Sequence, residues 1–307
     1  HLITTKMEHH AVLHTCEYLA KNGYEVTYLD VDSDGLISLK ELEASIKDNT
    51  VLISIMFANN EIGTIQSVKE IGDLSKRHGV LFHTDAVQAF GHVPIDVKEM
   101  NIDLLSASAH KIHGPKGVGM LYIRKGIKID NLIHGGAQEN KKRAGTENVP
   151  GICGFARAAE IAMESMLEKM TFISGLRDRL IKEIPEKIEN VKLNGHPTQR
   201  LPGNVNFSFE FIEGESLLLY LDMEGIAASS GSACTSGALD PSHVLMAIGL
   251  PHEIAHGSLR LSLSEFNTEE DVSYTIDKLI RNARLLRDAG ADVLDVADTP
   301  AARMRMS

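Results

Sequence analysis

Cysteine is scarce in this chain: only Cys16, Cys153 and Cys234 occur in 307 residues, and they lie far apart. An odd, widely spaced set argues against a disulfide framework and for a reducing compartment, so the cytoplasm is the expected location. Basic charge is also in short supply. Lysine and arginine number 31 against 42 aspartates and glutamates, a net charge of −11, which removes electrostatic support for a nonspecific grip on nucleic acid or anionic lipid. No apolar run approaches bilayer length, and His1-Leu2-Ile3-Thr4-Thr5 lacks a basic region followed by an apolar core, so no membrane is expected as a partner. Repeats and low-complexity tracts are absent as well. A hydrophobic content of 43% with 24% charged residues excludes a disordered chain and predicts a folded core that binds small molecules or proteins.

Apolar runs bounded by turn residues alternate with helix-period segments through the first half, the pattern of a mostly parallel sheet covered by helices. Residues 51–57 (VLISIMF) read as a buried strand. Val68, Ile71 and Leu74 recur at helical spacing until Gly79 supplies a stop, and residues 80–83, 104–107 and 118–123 read as further strands. In such sheets the ligand crevice lies beyond the carboxyl ends of the strands. The residues there are polar: Asn59-Asn60-Glu61, then Thr84-Asp85 with Gln88, then Ser108-Ala109-His110-Lys111.

A lysine that performs covalent carbonyl chemistry needs a site that disfavours its ammonium form and nearby groups that bind an aldehyde cofactor. Lys111 follows an apolar strand, is preceded by phosphate-competent donors in Ser108 and His110, and precedes the turn Gly114-Pro115-Lys116-Gly117. A solvated lysine beside a glycine hairpin has the same local sequence. Asp85 adds weight to the first reading, because a carboxylate ending a buried strand needs a partner and a pyridinium nitrogen is one. Gln88 could donate to a ring hydroxyl and His9 could lie over the ring face; the plainer alternatives are a helix-surface glutamine and a partly buried histidine.

His83-Thr84-Asp85-Ala86-Val87-Gln88 and Ser106-Ala107-Ser108-Ala109-His110-Lys111-Ile112-His113-Gly114-Pro115-Lys116-Gly117 together resemble the cofactor core of the cysteine desulfurases of the NifS/IscS group. Ser229-Ser230-Gly231-Ser232-Ala233-Cys234-Thr235-Ser236-Gly237 resembles that family's cysteine loop, and Arg143-Ala144-Gly145-Thr146-Glu147-Asn148 resembles the segment whose threonine reaches a neighbouring subunit's phosphate. The resemblance runs from His1 to about Asp277.

The resemblance implies pyridoxal 5'-phosphate as cofactor, with Lys111 as its covalent lysine, Asp85 at the ring nitrogen, Gln88 at the ring oxygen, Ser108 and His110 at the phosphate, and His9 over the ring. It further implies Asn60 and Arg260 at the substrate carboxylate, Thr146 at a partner's phosphate, and a homodimer. Arginine suits a carboxylate because its planar fork matches both oxygens. Cys234, on a glycine- and serine-rich loop, is the nucleophile expected to take sulfur from L-cysteine as a persulfide and pass it to an acceptor such as an iron-sulfur scaffold protein. A small buried cysteine fits Cys16 and Cys153 better.

Two local patterns compete with this reading. Residues 30–41 match a calcium-binding loop, but the alternation of residues 24–29 predicts a strand where a calcium-binding hand requires a helix. A strand, an acidic turn and a helix capped by Ser38 with Glu41 is expected instead. His10 and His14 could share a helix face as metal ligands; an amphipathic helix packing Ala11, Leu13 and Tyr18 is the preferred reading, and no metal is expected.

The expected architecture is the α/β fold type I of pyridoxal-phosphate enzymes, with a mostly parallel large domain over residues 1–168 and a smaller α+β domain over residues 169–307. The family's N-terminal glycine-alanine-threonine loop has no counterpart before His9, so a fragment or processed chain is expected. The rivals are another lyase of the same superfamily, such as a selenocysteine lyase, and a noncatalytic scaffold or interaction fragment.

Overall fold

The computed structural model describes residues 1–230 and 241–288. Six strands build the larger sheet: β1 (Leu2–Thr5), β2 (Val26–Leu29), β3 (Leu52–Ser54), β4 (Leu81–Asp85), β5 (Leu104–Ser108) and β6 (Gly119–Ile123), in the order β2-β1-β3-β4-β5-β6. The first five run parallel and β6 returns antiparallel to β5. Ile3, Ile53 and Phe82 lie in register across β1, β3 and β4, and all three are fully buried at the centre of the first core. Helices α1 (His10–Lys21), α2 (Leu39–Ala44) and α3 (Val68–His78) make the crossovers that parallel strands require. The α3 stop is the one read from the sequence: Gly79 takes φ 68°, a left-handed cap that costs glycine no steric clash.

Residues 30–38 form the expected acidic turn. The Asp32 side chain accepts from the amides of Asp34 (3.0 Å) and Leu36 (2.8 Å), while Ser38 caps α2 through the Glu41 amide. The strand β2 precedes the turn, so the helix a calcium-binding hand requires is not formed. Helix α1 departs from expectation. Ala11 is exposed and Tyr18 is 66% exposed; the inward stripe is Val12, Cys16 and Leu19, spaced four and three apart, whereas Ala11 and Tyr18 share an outer face. Cys153 is likewise exposed rather than buried, because the inward face of its helix is Gly151 and Phe155.

After the short α4 (Gln138–Lys141), α5 (Val149–Glu164) and α6 (Met166–Lys187) meet at Ser165, whose φ −136° and ψ 29° break the helix. Beyond them lies a second sheet, antiparallel in the order β7-β8-β9, from β7 (Val191–Leu193), β8 (Asn204–Phe209) and β9 (Ser258–Ser262). Strand β8 is buried on both faces. Val205, Phe207 and Phe209 face a second core with α6, α7 (Gly214–Met223) and α10 (Glu269–Asp288), while Asn204, Asn206 and Ser208 carry polar groups on the alternate positions. The short helices α8 (His243–Ala247) and α9 (His252–His256) contribute to a third cluster containing Met7, Met56 and Ile62. No helix among the described residues is long and apolar enough to cross a membrane.

The two sheets are joined by polar contacts at residues 59–66. Asn204 Nδ2 donates to the carbonyls of Asn60 (3.3 Å) and Glu61 (3.1 Å), and Asn206 Nδ2 donates to Glu61 (3.1 Å). Arg200, 3% exposed, donates to the carbonyls of Ile62 (2.9 Å), His196 (3.2 Å), Asn194 (3.4 Å) and Asn204 (3.1 Å). A second buried charge-bearing group, Glu8, follows β1. Its Oε1 accepts from the Met56 amide (2.7 Å) and the Thr5 hydroxyl (3.1 Å), while Oε2 is buried without a partner among the described residues. Burial pushes the Glu8 carboxyl up to about 8, and the charge of Asp85 adds to the rise.

Two outcomes follow from these groups. Arg200→Met leaves several buried carbonyls without donors and should cost about 3 kcal/mol in denaturant unfolding; a cost below about 0.5 kcal/mol would contradict the role given to the guanidinium. Glu8 binds a proton more tightly folded than unfolded, so stability should fall as pH rises from 4.5 towards 8. Glu8→Gln, which has no proton to lose, should flatten that fall in Tm by about 3 °C or more, and parallel Tm profiles for the two proteins would refute it.

Candidate active site

The strand order reverses beside β1: the chain passes from β1 to β2 on one side and reaches β3 on the other. A crevice opens at such a switch point, beyond the carboxyl ends of the strands. A cleft of about 1200 Å³ lies here, lined by His9, Asn60, Asp85, Gln88, Ser108, His110, Lys111 and Arg260 together with apolar residues of α5 and α6. These are eight of the ten residues expected from the sequence to form the site. Thr146 sits on an exposed stretch before α5 and does not line the cleft, and Cys234 lies outside the described residues.

Asp85 ends β4 with its Oδ1 accepting from the Val87 amide at 2.9 Å, which fixes the carboxylate as the strand turns. Its other oxygen has no hydrogen bond among the described residues, so one acceptor remains available in the cleft. Below it on the same face, His83 bridges Ser54 Oγ (2.8 Å) and Ser106 Oγ (2.9 Å), and burial lowers its pKa. The neutral ring therefore donates to one hydroxyl and accepts from the other.

Strand β5 delivers Ser108 to the cleft and then tightens into a 3-10 turn over Ala109–Ile112. Three-residue periodicity puts the buried Ala109 and Ile112 on one side and leaves His110 and Lys111 exposed on the other. His92 Nε2 donates to the Lys111 carbonyl at 3.0 Å, pinning the backbone at the lysine, and burial keeps the His92 pKa low. The Lys111 amine has no hydrogen bond or ion pair among the described residues. His9 caps α1, its Nδ1 accepting from the Ala11 amide at 3.1 Å, and its ring borders the cleft. No side-chain hydrogen bond holds Gln88 among the described residues.

The second sheet contributes Arg260 from β9. Its Nη1 donates to the Asn60 carbonyl at 3.2 Å, its backbone pairs with Ser229, and its Nε is buried without a partner among the described residues. Glu61, 6% exposed, accepts the hydroxyl of Ser242. Burial raises its pKa to about 7, against the Ser242 hydrogen bond and the Arg260 charge, which lower it. The His10 ring lies near those of His14 (4.9 Å between centroids) and His243 (4.6 Å), tilted 31° and 45° to them, His243 coming from α8. No group of three or more His, Cys, Asp or Glu among the described residues is arranged to hold a metal ion.

Sequence reasoning passed over His92, Glu8 and the Glu61–Ser242 pair. Glu61 stood in a polar triplet at a strand end, which was a usable signal. Its partner lies 181 residues away, and no local pattern links the two.

The lysine amine, unpaired among the described residues, the acceptor oxygen of Asp85 and the donors Ser108 and His110 converge on one cleft, the set that a pyridine aldehyde bearing a phosphate requires. The family model for aminotransferase class-V matches residues 1–275. The cysteine desulfurase IscS of Clostridium botulinum is 61% identical over 289 residues, covering 92% of this chain and 73% of the relative. That of Methanosarcina thermophila is 61% identical over 288 residues, covering 94% of this chain and 71% of the relative. Among solved structures, a NifS-like protein superposes with a TM-score of 0.85 at 42% identity, covering 92% of this chain and 75% of its own. A protein described as SspA in complex with cysteine superposes with a TM-score of 0.75 at 38% identity, covering 87% and 74%. These likenesses favour neither the scaffold reading nor the other-lyase reading. The chain belongs to the aminotransferase class-V family, among its cysteine desulfurases.

Proposed function

We propose that the chain removes sulfur from L-cysteine with pyridoxal 5'-phosphate as cofactor, leaving L-alanine and a persulfide on Cys234. The convergence of Lys111, Asp85, Ser108, His110 and Arg260 on a single cleft carries this reading. Lys111 would hold the cofactor, Asp85 its ring nitrogen, Gln88 its ring oxygen, Ser108 and His110 its phosphate, and His9 the ring face. When bound, the cofactor supplies a protonated ring that accepts negative charge from the substrate's α-carbon.

Arg260 and Asn60 orient the substrate carboxylate, placing its α-hydrogen towards Lys111 Nζ, which takes the proton. The Cys234 thiolate attacks the substrate sulfur as the carbon-sulfur bond breaks, and a proton replaces sulfur on the β-carbon. Atoms balance: cysteine plus one enzyme thiol gives alanine plus one enzyme persulfide. Thr146, exposed on its own subunit, would serve the phosphate site of a second copy, which makes the working unit a homodimer. The division into residues 1–168 and 169–307, a cytoplasmic location and a protein sulfur acceptor such as an iron-sulfur scaffold belong to the same reading.

The test is to incubate the protein with pyridoxal phosphate, L-cysteine and a reductant, measuring sulfide and alanine. Wild type should release the two in equal amounts. Cys234→Ala should lose about 100-fold or more of both while keeping the yellow colour, and Lys111→Ala should lose the colour. Wild-type turnover by Cys234→Ala would contradict the persulfide assignment.

A further inference from the structure

Lys111 and its proposed companions Asp85 and Gln88 sit on two separate pieces of backbone. One runs from the end of β4 through residues 86–93; the other is the 3-10 turn Ala109–Ile112 that follows β5. The ladder between β4 and β5 ends with Asp85 beside Ser106, where the Ala86 amide donates to the Ser106 carbonyl at 2.9 Å. Beyond that point Gly91 and His92 tie the two pieces together. Gly91 has φ 80°, and a Cβ placed on it would stand 2.6 Å from Ile112 Cγ2 and 3.2 Å from Ala162 Cβ of α5, so its backbone lies directly against the turn that carries the lysine. His92 Nε2 donates to the Lys111 carbonyl at 3.0 Å. A carbonyl only accepts, so Nε2 is the ring nitrogen that carries the hydrogen.

The Lys111 carbonyl is one of the orphans that a helix end leaves. The amides of His113 and Gly114 both go to the Ala109 carbonyl, and His113 takes φ 63°, which stops the turn before it can supply a donor for Lys111. His92 supplies that donor from 19 positions upstream. Its own loop is wound as a helical turn, with the amides of Ala89 and Phe90 on the Ala86 carbonyl and those of His92 and Val93 on the Ala89 carbonyl. Phe90 packs edge-on against Phe155 of α5, 6.0 Å between centroids. Burial, with the charges of His113 and Lys111, lowers the His92 pKa against the Lys111 hydrogen bond and Glu265, so the ring is neutral at pH 7 and puts no second cation beside the lysine amine.

We propose that His92 is a positioning residue for Lys111: with Gly91 it locks the loop bearing Asp85 and Gln88 to the turn bearing the lysine, and so sets how the amine meets the aldehyde carbon of a cofactor held by that loop. This rests on the reading of Lys111 as the covalent lysine. The step served is the addition of the neutral Lys111 amine to the aldehyde carbon: a carbon-nitrogen double bond forms, and the aldehyde oxygen leaves as water with the two amine hydrogens. His92 acts through the Lys111 backbone. Asp85, Ser108 and His110, the groups assigned to the ring nitrogen and the phosphate, make no hydrogen bond to its ring among the described residues, so binding that precedes the covalent step should be unchanged.

The experiment mixes the full chain, freed of cofactor, with pyridoxal phosphate and follows the rise of visible absorbance over a range of cofactor concentrations. The plateau rate reports the bond-forming step, and the half-saturating concentration reports the binding before it. His92→Ala should lower the plateau about tenfold and leave the half-saturating concentration within about twofold of wild type. His92→Gln, whose amide can donate to the same carbonyl, should recover most of the rate. Gly91→Ala, which forces a Cβ against Ile112, should lower the plateau in the same way. A wild-type plateau in His92→Ala, a half-saturating concentration that shifts by the same factor as the plateau, or a His92→Gln variant no faster than His92→Ala would overturn the proposal. Should His92→Ala fail to fold, His92→Asn, too short to reach the carbonyl, is judged by the same criteria. Lys111→Ala separates the two failures: if it still develops the colour, the reading of Lys111 falls; if it stays colourless while His92→Ala keeps the wild-type plateau, only the role of His92 falls.

Discussion

The turn at residues 59–66 lies between two sheets, and most of its residues are buried from water. Each buried carbonyl without a donor costs about 1–3 kcal/mol, so the second sheet can pack here only by supplying donors. Asn204, Asn206 and Arg200 do so, meeting the carbonyls of Asn60, Glu61 and Ile62. Apolar contact alone would let the layers slide, because it has no direction. Hydrogen bonds to successive carbonyls set one register, and that register carries Arg260 of β9 to the Asn60 carbonyl.

From this junction the division of labour in the cleft follows. His9, Asn60, Asp85 and Lys111 come from or follow the carboxyl ends of strands in the first sheet, where the strand order reverses. Arg260 comes from the second sheet and reaches the same cleft across the junction. The groups proposed for the cofactor thus come from the first sheet, and the cation proposed for a substrate carboxylate comes from the second. The segment bearing Cys234 is attached at Ser229, beside Arg260, and at Ser242, beside Glu61.

Much of this was legible in the sequence for local reasons. The spacing of Val68, Ile71 and Leu74 before Gly79 fixed α3, and Asp85 and Lys111 stood where apolar runs ended, at the ends of β4 and β5. The calcium-loop pattern was resolved correctly by asking whether a helix or a strand preceded it. Local patterns failed where burial depends on which face of a helix meets the sheet. Spacing counted Ala11 and Tyr18 as packing residues, yet the inward stripe runs through Cys16, and Cys153 turns outward from α5. They failed again where a buried polar group finds its partner far along the chain, as Arg200 does at Ile62 and Glu61 does at Ser242. Such partners are chosen by geometry after the chain has folded.

The central claim is that the polar junction positions Arg260 for the substrate without contributing to cofactor binding. Asn204→Ala removes the donor to Asn60 and Glu61 while leaving His9, Asn60, Asp85, Gln88, Ser108, His110, Lys111 and Arg260 unchanged, and the decisive measurement is its KM for L-cysteine beside its Kd for pyridoxal phosphate. A KM raised about tenfold with the cofactor Kd within about twofold of wild type is the predicted result. An unchanged KM, or a cofactor affinity that falls by the same factor, would contradict it.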